Sequence, residues 1–227
     1  MTNEPPNPPI PHLILIAAAL ADTNGIGKNN DLPWHIPSEM RYFNAVTTWL
    51  GRRVGNAYPD KTQGDTHVED GQKPLNAVIM GRRTWDSMPD GFRPLKGRVN
   101  VVLTGSEDVR VEVCSRSTPE TPTLAFPTLP EALTYLTTTT RPTNTFIIGG
   151  SHIYILALAH PSCSHVLLTR VKAPAPIECD TFFPEVDMAV FRKAREEELR
   201  EVVGPMVPVG VQRERGLEYE FGMFVRR

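Results

Sequence analysis

Short runs of apolar residues constrain most strongly what this chain can fold into. They are rich in Val, Ile, Leu and Ala and lack the regular alternation of a half-exposed strand, which is typical of strands buried on both faces. The longest apolar run, nine residues from position 13 to 21, is too short to cross a bilayer. We therefore predict buried strands at residues 13–20, 75–80, 99–103, 145–148 and 166–171.

Helical patterns alternate with these strands. After Pro37, which suits the first turn of a helix, apolar residues recur every three or four positions. Helices are predicted at residues 37–50, 81–87, 129–138 and 152–159. Strands that alternate with helices indicate an α/β fold with a mostly parallel sheet, and ligands bind at the carboxyl ends of such strands.

The remaining segments predict an edge strand and surface structure. Residues 217–225 alternate apolar and polar side chains, which indicates a half-exposed strand at an antiparallel edge. We interpret residues 105–124 as a loop with one short strand near Val109–Cys114. Residues 1–12 contain five prolines and predict a disordered leader, and the polar residues 51–74 predict a surface insertion.

Charge and cysteine content argue against several classes of function. The 227-residue chain has 24 Lys and Arg against 26 Asp and Glu, a net charge of −2, whereas nucleic-acid and membrane-surface binders carry a basic surplus. Three cysteines without a CxxC pair favour a reducing, intracellular compartment over a disulfide framework or zinc site. We expect no metal, no specific nucleic acid and no membrane as partners.

Glycine or arginine follows two of the predicted strands. Gly149 and Gly150 precede a helix, whose N-terminal amides can receive a phosphate, although a tight turn without a ligand explains the pair equally well. Arg82 and Arg83 begin another helix, where the helix dipole disfavours cations. An adjacent anion would stabilise them, and two solvated arginines are the alternative.

Three further features are candidates for chemistry, each with a simpler explanation. Glu39 borders an apolar helix face, where a carboxylate needs a partner, but a first-turn acid also interacts favourably with the helix dipole. Arg98 precedes a buried strand and is either a carboxylate clamp or a flanking charge. Residues 32–34, Leu-Pro-Trp, interrupt a polar loop and indicate either a lid or plain surface.

In their order along the chain, these segments resemble the dihydrofolate reductase family. The resemblance covers nearly the whole chain and suggests a eukaryotic, fungal form. It is carried by GIGKNNDLPW (25–34), Glu39 with MRYF (40–43), VIMGRRTWDSMP (78–89), RPLKGRVNVVLT (93–104), FIIGGSHIY (146–154), LLTRV (167–171) and DTFFPE (180–185).

The resemblance implies a fold and a reaction. The fold is a single domain over residues 13–227, with a mixed, mostly parallel eight-stranded sheet flanked by about four helices and with surface insertions. The reaction is NADPH-dependent reduction of 7,8-dihydrofolate to 5,6,7,8-tetrahydrofolate by hydride transfer to pterin C6, which supplies one-carbon metabolism. A cytoplasmic monomer that methotrexate inhibits is also implied.

The resemblance also implies roles for individual residues. Glu39 binds the pterin and is oriented by Thr169, Leu32 and Trp34 form a mobile lid, and these four are the catalytic residues. Arg98 clamps the substrate's glutamate α-carboxylate. The implied substrate-binding residues are Ala17, Ala19, Glu39, Met40, Phe43, Met88, Pro89, Leu95, Arg98, Ile148, Tyr154 and Thr169.

For the cofactor, the resemblance implies a cis Gly149-Gly150 peptide bond and a cradle for the NADPH phosphates. Arg82, Arg83 and Thr84 would hold the ribose 2′-phosphate and the pyrophosphate. The implied cofactor-binding residues are Ala19, Gly25, Ile26, Gly27, Lys28, Asp31, Leu32, Gly81, Arg82, Arg83, Thr84, Thr104, Gly105, Ser106, Gly149, Gly150, Ser151, His152, Ile153 and Tyr154.

Some positions depart from the family's pattern. Gly105 stands where a basic residue is frequent, so one contact to the 2′-phosphate is expected to be missing, and Arg116 is a candidate replacement to which we assign no role. Ala17 and Ala18 predict a roomier pterin pocket. Met40 replaces a Phe of animal members, which predicts altered antifolate binding.

Two other functions stay open at this point. A reductase of the riboflavin pathway shares the fold and cofactor but needs a ribityl-phosphate site and gives no reason for both Glu39 and Arg98. A catalytically silent binding module would be signalled by loss of Glu39, Gly149 or Gly150, and all three are present.

Overall fold

The computed structural model describes residues 11–51, 74–205 and 207–227. The leader and the insertion predicted at residues 1–12 and 51–74 lie almost entirely outside the described residues. The strands are β1 (Leu13–Leu20), β2 (Gly25–Gly27), β3 (Asn76–Gly81), β4 (Arg98–Leu103), β5 (Thr123–Phe126), β6 (Thr145–Gly149), β7 (Cys163–Lys172), β8 (Thr181–Phe182), β9 (Phe191–Lys193), β10 (Gln212–Glu214) and β11 (Leu217–Arg226).

Helices follow most of the parallel strands. The α-helices are α1 (Pro37–Thr48), α2 (Arg82–Ser87), α3 (Glu107–Ser115), α4 (Leu129–Tyr135), α5 (Ser151–Ala159) and α6 (Glu196–Val203). A 3₁₀ turn spans Asp90–Phe92, and a π-helical turn, Leu136–Thr140, continues α4. None of the helices within the described ranges is long and apolar enough to span a membrane.

One large sheet organises the molecule. Its strand order is β10-β11-β7-β1-β6-β3-β4-β5, and β9 pairs with β11 outside this path. The pairs from β7 through to β5 are parallel, whereas β11 runs antiparallel to β7. This confirms the mixed, mostly parallel sheet. Separately, β2 and β8 form a two-stranded antiparallel sheet.

The sheet has a hydrophobic core on each face. On one face, residues of α4 and α5 pack with Leu13 and Leu15 of β1. On the other face, residues of α1, α2, α3 and α6 pack with Ile14 and Ile16 of β1. Successive side chains of a strand point to opposite faces, so a run buried on both sides is apolar throughout, as the 13–20 segment is.

Burial is interrupted near the carboxyl ends of the central strands. In β1 only Ala17 and Ala18 are partly exposed, and in β6 only Ile148 is. These strands lie side by side in the centre of the sheet, so the interruption marks a cleft at the edge where parallel sheets bind ligands.

The carboxyl-terminal hairpin of β10 and β11 packs against α1. The N-cap residue of α1, Ile36, makes no side-chain cap hydrogen bond, and instead the backbone N–H of Ser38 donates to Oε2 of Glu214 at 3.0 Å. That hydrogen bond lowers the pKa of Glu214. The rings of Tyr42 and Phe221 stack with centroids 4.0 Å apart.

Two predicted elements were wrong. Residues 107–115 form a helix rather than a strand, because Ser106 caps it and only Val113 of its valines is buried, while Val111 is exposed. The strand predicted over 217–225 forms as β11 but is not at the edge, since β10 and β9 pair along its outer side. With α3 and α6 added, residues 11–51, 74–205 and 207–227 contain six α-helices where about four were implied.

Candidate active site

Glu39 is a buried acid at the start of α1. Its side chain is 7% exposed although it lies in the first helical turn, and Oγ1 of Thr169 donates to its Oε1 at 3.4 Å. Burial raises the pKa of Glu39 to about 7, and the Thr169 hydrogen bond opposes that rise. A solvent-exposed acid that serves the helix dipole would not show this burial, so the binding role is favoured.

Partly buried apolar side chains lie on the same face of the sheet as α1, which carries Glu39. Ala18 is directly opposite Thr169 in the β1–β7 register. The partly buried side chains that pack against the core on this face include Ala18, Phe43, Met88, Leu95 and Ile148, which we call the apolar wall. From the other face, the hydroxyl of Tyr154 donates to the carbonyl of Ile16 at 2.8 Å, which fixes the middle of β1.

Arg98 is a buried cation whose described partners are all neutral. The side chain is 3% exposed. Its Nη1 donates to Oγ1 of Thr47 at 2.7 Å, Nη2 donates to Oδ1 of Asn44 at 3.1 Å, and Nε donates to the carbonyl of Lys96. Burial lowers the pKa of Arg98 to about 10. A carboxylate on this guanidinium would offset that desolvation.

The β6–α5 junction forms a cradle of backbone groups. The Gly149-Gly150 peptide bond is cis, as the resemblance implied. Gly149 has φ +131°, and a Cβ built there would lie 3.1 Å from Oγ1 of Thr84. The N-cap residue Gly150 has no side chain, so the first amides of α5 are open to an anion.

Two arginines border this cradle from β3. Gly81 pairs with Leu103 in the β3–β4 register, so Arg82 and Thr104 leave the sheet side by side. Nε of Arg82 donates to Asp86 at 3.1 Å. The side chain of Arg83 has no hydrogen-bond or ion-pair partner among the residues that the structure describes. Free backbone amides, an uncapped helix and exposed guanidiniums are a donor set that fits a dinucleotide's phosphates.

The predicted lid divides into an anchored part and an exposed part. Leu32 is 52% exposed, whereas Trp34 is packed into the α1-face core. At its base, Gly25 of β2 is so close to Cys179 that a Cβ would lie 2.4 Å from Sγ. Trp34 therefore fixes the loop, and Leu32 is the part free to cover a ligand.

Most of the predicted site residues gather at this one edge of the sheet. The cofactor candidates lie in four places: the β1–β2 region, the β3–α2 junction, the segment after β4, and the β6–α5 junction. Met40 is an exception among the substrate candidates, since it is 45% exposed on α1, and Pro89 is also exposed. Ala19 is fully buried.

Sequence reasoning missed the neutral groups that hold Arg98. Asn44 and Thr47 lie on one face of α1 at helical spacing, which the sequence shows, but nothing in it indicates that Arg98 would reach them. Ala18, which together with Ala17 predicted a roomier pterin pocket, was not among the implied substrate-binding residues, although it is one of the wall residues. Within the described ranges no group of three or more His, Cys, Asp or Glu could hold a metal.

An acid in an apolar cleft beside a phosphate cradle places the protein among α/β enzymes that bind a polar substrate and a nucleotide at adjoining strand ends. Comparison with known proteins narrows this class. The model of the dihydrofolate reductase family matches residues 12–54 and 73–204. The chain belongs to the dihydrofolate reductase family.

Relatives and a solved structure agree with this assignment. The chain is 40% identical over 187 residues to the dihydrofolate reductase of the insect Heliothis virescens, covering 82% of this chain and 86% of the relative. It is 32% identical to that of the fungus Pneumocystis carinii, covering 94% and 96%. The Schistosoma mansoni dihydrofolate reductase structure superposes with a TM-score of 0.68 at 25% identity, covering 96% of this chain and all of that one.

Proposed function

We propose that this enzyme reduces 7,8-dihydrofolate to 5,6,7,8-tetrahydrofolate with NADPH and so supplies one-carbon metabolism. One observation carries the proposal: α1 carries a buried acid, Glu39, and further along the same helix contacts a buried cation, Arg98 of β4. Arg98 contacts residues 44 and 47, five to eight positions beyond Glu39, or roughly 8–12 Å along α1. Dihydrofolate has a hydrogen-bonding pterin at one end, an aromatic ring between, and a carboxylate at the other.

Glu39 would bind the pterin and set its polarity. Its carboxylate would accept hydrogen bonds from the pterin amide and 2-amino groups, and the hydrogen bond from Thr169 orients one oxygen. When bound, NADPH supplies the hydride that reduces pterin C6. Pterin N5 also gains a proton, and the resemblance places N5 beyond direct reach of Glu39. We assign this proton to water that enters beside the exposed Leu32.

The remaining site residues would position both ligands. Arg98 holds the glutamate α-carboxylate, and the half-buried wall excludes water from the pterin and the aminobenzoyl ring. The amides after Gly150 take the pyrophosphate. Arg82, Arg83 and Thr84 take the 2′-phosphate and the pyrophosphate, which gives a preference for NADPH over NADH.

We also propose a cellular compartment, an oligomeric state and an inhibitor for the enzyme. Cys114, Cys163 and Cys179 are all free thiols, which supports action in the reducing cytoplasm. The resemblance supports a monomer and inhibition by methotrexate. Light scattering of the purified protein measures the oligomeric state.

The test is the dihydrofolate-dependent loss of NADPH absorbance by purified protein, with NADH run in parallel. We expect turnover that favours NADPH and that methotrexate abolishes. Tight NADPH binding without folate turnover would contradict the proposal and would instead support a riboflavin-type reductase or a silent relative.

A further inference from the structure

Arg110 lies on α3 but reaches back to the end of β4. Ser106 caps α3 by accepting from the N–H of Val109, and Arg110 follows in the first turn. Its Nη1 donates to the backbone carbonyl of Thr104 at 3.2 Å, and its Nη2 pairs with the carboxylate of Glu107. The Arg110 side chain is 21% exposed, so its guanidinium is held at the rim of the sheet rather than free in solvent.

The groups around this guanidinium belong to the cofactor edge. Across β3, β4 and β5 the register aligns Gly81, Leu103 and Phe126, so Arg82 leaves β3 next to Thr104. Gly105 is exposed, and a Cβ built there would meet nothing within 4 Å. Arg82 therefore follows the end of β3, and Arg110 is held by a hydrogen bond at the end of the neighbouring strand β4.

We propose that Arg110 is a specificity-determining residue that binds the ribose 2′-phosphate of the cofactor together with Arg82. This inference rests on the proposed function. The Arg110 guanidinium makes two interactions, with the carbonyl of Thr104 and the carboxylate of Glu107. Among the described residues its Nε–H has no acceptor. A phosphate oxygen can therefore accept from Nε–H while both of these interactions remain. The arginine thereby supplies the positive charge that Gly105 does not.

The carboxylate of Glu107 disfavours a phosphate bound to Arg110. It is 79% exposed and shares the Arg110 guanidinium, and Asp108 follows it in the same turn. Both carboxylates repel a phosphate dianion placed beside Arg110. The proposal therefore predicts that removing the charge of Arg110 weakens NADPH binding, whereas removing the charge of Glu107 strengthens it. An i,i+3 ion pair with a purely structural role would not show these opposite effects.

Binding of NADPH, NADH and 2′,5′-ADP to purified variants, measured by titration calorimetry, tests the proposal. We expect Arg110→Met to weaken NADPH and 2′,5′-ADP binding about tenfold and to leave NADH binding unchanged. Glu107→Gln should strengthen the two phosphorylated ligands a few fold. Both effects should shrink as salt is raised, because the groups are partly exposed.

Matched variants separate this role from simpler explanations. Arg200→Met removes an equal charge from another helical ion pair, with Glu196 on α6, and should change no affinity. Arg116→Met tests the other candidate, the C-cap residue just after α3, which instead pairs with Asp90 at 3.3 Å. Arg110→Lys keeps the charge and should retain most of the NADPH preference if Arg110→Met lowers stability.

The outcomes are distinct. Equal weakening of NADPH and NADH by Arg110→Met, or loss of NADPH binding in Arg116→Met alone, would overturn the role of Arg110. If the wild-type protein reduces dihydrofolate with NADPH and Arg110→Met keeps the same cofactor preference, this inference is wrong and the proposed function stands. Wild-type protein that binds no NADPH would overturn both.

Discussion

At the scale of single residues, the site is built from charges that the protein only partly compensates. Glu39 is buried, and in the described part of the chain its carboxylate has one hydrogen-bond donor, Thr169, at 3.4 Å. Arg98 is buried among neutral acceptors. Each desolvated charge costs stability in the free protein, and a ligand that brings the complementary group to each recovers that cost on binding.

Glu39→Gln should fold but lose turnover about 100-fold near neutral pH, since an amide cannot balance the charge of a protonated pterin. Glu39, whose pKa is about 7, balances a protonated pterin only when it is ionised, and this pair of groups loses its one proton as pH rises, so the wild-type rate should fall on the alkaline side of neutral pH. The variant has no carboxylate to stabilise the protonated pterin and should lack this inflection. Single-turnover rates across the pH range measure both effects, and wild-type rates in the variant would contradict the catalytic assignment.

Arg98→Leu should weaken dihydrofolate binding by about tenfold to 100-fold, because hydrogen bonds to a charged group contribute roughly 1.5–3 kcal/mol. NADPH binding should not change. Dihydropteroate, which lacks the glutamate, is the control ligand and should bind wild type and variant alike in a fluorescence titration. If both folate and NADPH weaken equally, the clamp role is wrong.

The resemblance indicated Glu39, Arg98 and the glycine pair, but not the neutral groups that position them. Asn44 and Thr47 contact Arg98 across 54 and 51 positions of the chain. Helical spacing shows that two residues share a face, but the partner of that face depends on tertiary packing. Thr169, whose hydroxyl donates to Glu39, was identified only because the segment LLTRV (167–171) resembles the family.

At the scale of elements, α3 shows how alternation misleads. Val109, Val111 and Val113 alternate with polar residues, which predicted a strand. The helical signals were also present, since Ser106 precedes Glu107 and Asp108, a cap followed by first-turn acids. The helix places Val113 in the core and leaves Val111 65% exposed.

Gly149→Ala should abolish cofactor binding and lower stability. At φ +131° a side chain is strained, and its Cβ would press on Oγ1 of Thr84, which closes the β6–α5 cradle. Gly91→Ala is the matched control, because a Cβ there meets nothing within 4 Å and Gly91 is outside the site. NADPH titration and thermal unfolding of both variants measure the difference, and unimpaired NADPH binding by Gly149→Ala would argue against the cradle.

At the scale of the whole molecule, short buried strands and α/β alternation predicted the class of fold, but not the order of strands. β1 lies between β6 and β7, whose residues come more than 120 positions later. No local pattern encodes that neighbour relation, since every buried strand is apolar in the same way. The family resemblance implied a mixed, mostly parallel sheet, and the strand order comes from the structure. A cleft at the carboxyl ends of the strands was expected from the alternation of strands and helices itself.

The burial of Glu39 should make the stability of the free protein depend on pH. Its pKa rises from 4.5 to about 7 on folding, so the folded state binds more protons between these values and loses stability as pH rises. Relative to wild type, Glu39→Gln should gain at most about 3 kcal/mol above pH ~7 and nothing below pH ~4.5. Urea unfolding of both proteins across this range measures the difference, and a constant offset would contradict it.

The hairpin of β10 and β11 has a consequence for the order of events on the ribosome. Glu39, Arg98 and the glycine pair are all translated before the residues that support α1 from behind, Glu214 and Phe221. When every residue assigned to catalysis has been translated, the nascent chain therefore still lacks the hairpin residues that contact α1, the helix that carries Glu39. The binding cleft is completed late in synthesis, although its first strand is made at the start.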